Sequence, residues 1–175
     1  MKKLFSILAA LLITVTAFGQ NGPFRQRLEL AEVEINDGEV ELEVFKMEDN
    51  GQYYLSVGHL GIGDDIIQFQ IDPLYELFIP LGDNLTQAIQ KLDQIKDAYN
   101  MGTGSSMEVE GCLNLAYPND QFEPVTLTAR RLLFSRLLEF SVKRDGYVRA
   151  THISRSDFNA LVSSAKFYQR IHPNE

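Results

Sequence analysis

The stretch Gly58-His59-Leu60-Gly61-Ile62-Gly63-Asp64-Asp65 puts an imidazole, backbone freedom and two adjacent carboxylates into eight residues. Such a set could move a proton or hold a hard cation through oxygen ligands. Its spacing fits neither a calcium loop nor a phosphate loop, and no helix N-terminus follows to receive an anion. It therefore reads as a connection between strands.

The other reactive side chains form no better set. His59, His152 and His172 are the whole histidine supply, and no two of them lie at the spacing that brings zinc ligands together. Gly102-Thr103-Gly104-Ser105-Ser106 has the letters of a nucleophile elbow in the wrong order, and reads as a linker. With 24 acidic residues in the chain, a carboxylate pair suited to glycoside hydrolysis is not something spacing alone can reveal. No residue is assigned a catalytic, cofactor-binding or metal-binding role.

Cys112 is the single cysteine. Strict alternation places it with Glu108, Glu110 and Asn114 on the wetter face of a strand, opposite Met107, Val109, Gly111, Leu113 and Leu115. There an exposed thiol could pair two chains. A bulge at Gly111 would instead turn it inward, where free cysteine is ordinarily found, and this is the expected arrangement.

Arg130, Arg131, Arg136, Lys143, Arg144, Arg149 and Arg155 concentrate positive charge near the C-terminus. If residues 125–143 form one long strand, Arg130 and Arg136 share a face and Arg131 points away. That makes no continuous stripe for nucleic acid. An anionic glycan or the acidic patch of a partner protein remains compatible with it. Asn84-Leu85-Thr86 matches a glycosylation sequon by letters only.

The elements that must position these residues are mostly strands. Asn36-Asp37-Gly38 separates two runs rich in Val, Ile, Leu and Glu, a strong hairpin signal that predicts strands over 27–35 and 39–47. Residues 53–59 follow as a third strand after Asp49-Asn50-Gly51, and 66–71 as a fourth, ended by Asp72-Pro73. Along the second strand Val40, Leu42 and Val44 point one way and Glu41, Glu43 and Phe45 the other, as in a sheet with one wet face.

Residues 83–99 read as a helix capped by Asp83, with Leu85, Ile89, Leu92, Lys96 and Tyr99 recurring at helical spacing and Ala88 and Ile95 widening the stripe. A flexible connector over 102–106 leads to a strand over 107–116. Because no Gly or Pro interrupts 125–143, two strands joined by a tight turn are not expected there. One long bent strand is favoured, with a central helix as the alternative. Asp145-Gly146 turns the chain into a strand over 147–153, and Ser156 caps a final helix carrying Phe158, Leu161, Val162, Ala165 and Tyr168.

The expected fold is α+β: an antiparallel sheet of meander and hairpins, packed on one face by two amphipathic helices. Two strand-then-helix halves, 27–99 and 106–171, echo each other weakly.

Residues 1–19 have the layout of a cleaved bacterial signal peptide. Met1-Lys2-Lys3 precedes an apolar run over 4–17, and Ala17 and Gly19 suit the −3 and −1 positions before Gln20. Thr14 and Thr16 shorten that run below the ~20 residues that span a membrane. Lipid attachment would need cysteine where Gln20 stands. The expected product, residues 20–175, is one exported domain, periplasmic or extracellular, with no disulfide and no membrane span. Without Lys2 and Lys3 it carries 14 basic and 24 acidic residues, a net charge of −10. Residues 20–124 hold 5 basic and 20 acidic residues, and 125–175 hold 9 and 4. In a compact domain those halves would interleave, with charges pairing across neighbouring elements. The sequence thus points to an exported, non-catalytic protein that binds a partner protein or an envelope ligand. A small carboxylate hydrolase and a carrier of apolar ligands are the alternatives.

Overall fold

A computed structural model describes residues 27–35, 40–58, 60–62, 76–113, 122–144 and 146–173. The leader at 1–19, the strand expected at 66–71, His59, Asp64 and Asp65 lie outside these residues. The strands are β1 (Arg27–Ile35), β2 (Val40–Met47), β3 (Tyr53–Val57), β4 (Gly61–Ile62), β5 (Leu77–Gly82), β6 (Ser106–Leu113), β7 (Glu123–Leu132), β8 (Ser135–Arg144) and β9 (Tyr147–Ser154). The helices are α1 (Leu85–Ala98) and α2 (Arg155–Ile171). All strand pairs are antiparallel. The sheet order is β1-β2-β3-β5-β6-β7-β8-β9-β4, eight full strands and a two-residue ninth.

That order forces the sheet to curl. In a flat sheet β3 and β4 would stand six strand spacings apart, about 29 Å. Yet only residues 58–60 separate Val57 from Gly61, and four residue steps reach about 14 Å at most. The accumulated twist of neighbouring strands supplies the curvature, helped by register shifts between Glu29 and Ala31 and between Tyr53 and Tyr54. Gly58 donates to Glu41 O at 2.8 Å, still pairing with β2. Leu60 is fully buried, and Gly61 then pairs with Ala150 of β9.

This corrects the expected open sheet with two amphipathic helices laid over one face. The sheet is a curled half-barrel, and the helices do not form a layer on it. α1 touches β3, β5 and β7, whereas α2, at the end of the chain, reaches from β1 and β2 to β8 and β9. A flat layer could not touch strands so far apart in the order. The apolar stripes of both helices join the inward residues of the strands in one core, with Leu42, Leu55, Ile79, Leu92, Phe140 and Phe158 among its members. Lys166 of α2 meets Asp93 of α1 at 2.7 Å.

Both helix starts sit beside the expected caps. Asn84, not Asp83, accepts from Gln87 N at 3.0 Å, so the amide of the sequon letters is used in folding. Ser154, not Ser156, accepts from Asp157 N at 3.2 Å. The neighbour with the right extended backbone does the capping.

The second face of the sheet is not wet throughout. Phe45, Met47, Tyr54, Phe78 and Cys112 form a separate buried cluster there. Cys112 is buried as expected, but not through a bulge: β6 and β7 stay in register through Gly111, and the face to which alternation assigns the thiol is itself covered. Gly111 has to be glycine for a different reason. A Cβ on it would stand 2.6 Å from Val125 Cγ2 and 2.9 Å from Phe78 O. Gly111→Ala should therefore lower stability by about 2–3 kcal/mol in urea unfolding, since backbone cannot yield as a side chain can.

Candidate functional site

The most consequential correction lies in 125–143. It is neither one long strand nor a helix: β7 and β8 form a hairpin whose loop is only Leu133 and Phe134, with Leu132 paired to Ser135. Leu133 has φ 53°, the only positive φ of a non-glycine among the described residues. The first position of such a turn normally goes to Gly, Asn or Asp, and a leucine there is strained by about 1–2 kcal/mol. Nothing in the fold recovers that strain through packing. Leu133 is 82 % exposed and Phe134 95 %, and Leu132 beside them is 43 % exposed.

The turn also sets the arginines. Arg131 and Arg136 are direct cross-strand partners, so they share the inner face that Ala129 and Leu138 continue into the core. The long-strand reading had set them on opposite faces. Like charges directly opposite repel, and neither has an acidic partner among the described residues. Each is held by one bond to a carbonyl. Arg131 Nε donates to Leu133 O at 3.2 Å, and Arg136 Nη1 donates at 2.8 Å to Tyr99 O, at the C-terminal cap of α1. Four N–H donors of each guanidinium remain for other acceptors.

Arg130 faces the other side. Its Nε and Nη2 bond Glu139 Oε2 and Oε1 at 2.9 and 3.2 Å. His152 Nε2 lies 3.1 Å from the same Oε2.

A cavity of about 270 Å³ opens beside the turn, lined by residues 99–103 and 129–131 with Arg136. The expected free connector over 102–106 is in fact pinned to its wall. Gly104 N donates to Ala129 O at 2.8 Å, and Ala129 N donates to Ser105 O at 2.9 Å. Met101 supplies an apolar wall. The arrangement can hold a small anion by charge-assisted hydrogen bonds, with guanidinium forks matched to phosphate or carboxylate.

The remaining sequence candidates are scattered. Arg144 pairs with Glu123 at 3.5 Å, Lys143 is exposed and Arg149 is buried. His172 stacks on Tyr168 at the end of α2, far along the chain from His152. No group of metal-ligating residues converges among those described. Two ion pairs join 125–175 to 20–124: Lys166 to Asp93 and Arg144 to Glu123.

A second titratable cluster lies on the outer face of β1–β3. Arg27 reaches Glu43 at 3.6 Å and Glu76 at 3.8 Å, and its guanidinium stacks on Phe45 and Phe78. Ser56 bonds Glu76. Burial pushes Glu43 up to about 7, with Arg27 opposing and Glu76 adding to the rise. This cluster lines neither the arginine cavity nor the apolar hollow of about 360 Å³ between α2 and β1.

Two opposite pH effects follow. Glu43, raised in the folded state, contributes stability that is present below its ordinary 4.5 and lost as pH rises through about 7. His152 is lowered by burial, against the pull of Glu139. Its contribution is present above 6.5 and lost as pH falls through the folded value. Urea midpoints at pH 5 and pH 8 should show the difference. Glu43→Gln should stabilise the protein at pH 8 relative to pH 5, by roughly 1–3 kcal/mol, and His152→Gln should remove part of the loss on acidification.

Compared with known proteins, the chain stands without a match: no family model fits it, and no curated protein or solved structure is similar to it.

Proposed function

We propose that this is an exported, non-catalytic binding protein that holds an anionic group of the cell envelope in the cavity beside the β7–β8 turn. The observation that carries the reading is the juxtaposed pair Arg131 and Arg136, without an acidic partner among the described residues, at the mouth of that cavity. Two arginines directly opposite each other in the ladder raise the energy of the empty site, and an anion bound by both offsets the repulsion. The bonds to Leu133 O and Tyr99 O fix the side chains in advance, which reduces the entropy lost on binding.

The export expectation from residues 1–19 sets the compartment of this proposal. Phosphate-bearing envelope components are the ligand class that the two forks and the small volume suit. The carboxylate-hydrolase alternative would need an acid pair facing a substrate cleft. Its clearest described carboxylates, Glu43 and Glu76, share Arg27 instead.

Titration with glycerol phosphate at low ionic strength tests the reading. Arg131→Ser should weaken binding about tenfold or more, the worth of one or two charge-assisted bonds, and raising salt should weaken the wild-type protein in the same direction. Equal affinity in wild type and Arg131→Ser, or no binding at millimolar ligand, would overturn it.

A further inference from the structure

We infer that the β7–β8 turn inserts its apolar tip into an anionic lipid surface, so that the phosphate taken by the cavity belongs to a lipid headgroup. This rests on the anion-binding reading above and names the source of the anion. Leu132, Leu133 and Phe134 are consecutive and exposed at the end of a hairpin. Arg131 and Arg136 flank them in sequence and face each other in the ladder. An apolar tip with a cationic collar matches a bilayer interface, where hydrocarbon takes the side chains and headgroup phosphates take the guanidiniums.

Three features favour lipid over a protein partner. A tip of three side chains is small beside the roughly 800 Å² that each partner of a stable protein complex buries. The hairpin ladder already pairs the strand backbone up to Leu132 and Ser135, so the tip can enter an apolar medium with few orphan polar groups. Much of the acidic charge among the described residues also lies elsewhere: Glu29, Glu32, Glu34, Glu41 and Glu43 crowd β1 and β2, at the far end of the strand order. Among the described residues, the turn with its arginine pair is better suited to a negative surface than the glutamate-rich β1–β2 edge.

The test uses processed protein, from Gln20 onward, so that residues 1–19 contribute nothing to binding. The chain has no tryptophan, so Phe134→Trp places a single reporter at the tip. Its emission should shift to the blue on vesicles containing phosphatidylglycerol and be quenched by brominated acyl chains, with little response to pure phosphatidylcholine. Leu133→Ser with Phe134→Ser should lower partitioning onto anionic vesicles at least tenfold while affinity for soluble glycerol phosphate stays within twofold. Arg131→Ser should lower both. Glycerol phosphate binding without vesicle binding, or without a blue shift in the Phe134→Trp variant, would overturn the insertion and leave the anion site standing. Loss of both ligands in the wild-type protein would overturn the two readings together.

Discussion

Folding residues 123–144 back through only Leu133 and Phe134 fixes the register from Leu132 and Ser135 up to Thr126 and Ser141, and the rest of the structure depends on it. The period of a strand is two, so a slip of one residue would expose Leu138 and Phe140 and bury Glu139 in the core. In the observed register Leu127 meets Phe140 and Ala129 meets Leu138 on the core side. Thr128 meets Glu139 on the other. The hairpin sits in the interior of the strand order, between β6 and β9. It therefore carries the curl onward to β9, where Gly61 and Ile62 close back from β3.

The same constraint makes the site. A long strand would have put Arg131 and Arg136 on opposite faces, whereas the tight turn puts them side by side and leaves three large apolar residues in water. Each feature is unfavourable alone. Strained backbone, facing like charges and an exposed apolar tip are the kinds of local conflict that persist at functional positions. By contrast, Arg130, Glu139 and His152 satisfy one another in a half-buried triad on the outer face, which serves the fold.

Individual turns and helices were legible in the sequence, though not the curled architecture they build. Asp-Gly and Asn-Gly steps marked turns, and the period of Leu85, Ile89 and Leu92 or of Phe158, Leu161 and Ala165 marked the buried helix faces. Three things were not legible. Curl is a property of strand order, and β4 is two residues long, too short to carry a pattern. Burial of Phe45, Met47 and Cys112 on the second face depends on what lies over the sheet. The β7–β8 turn was hidden because its residues contradict the rule that identifies such turns. A signal was present nonetheless: Arg130-Arg131-Leu132-Leu133-Phe134-Ser135-Arg136 is a short apolar run collared by arginine, out of place in the middle of a strand.

The central claim is that the side chains of Leu133 and Phe134 serve contact outside the chain and add nothing to the stability of the fold, whose register needs only the turn of their backbone. Urea unfolding of Leu133→Gly tests it most directly. Relieving the positive φ should leave the protein more stable by about 1 kcal/mol, because glycine adopts that backbone without strain. A loss of about 2 kcal/mol or more, the size expected when a packed leucine is truncated, would contradict it.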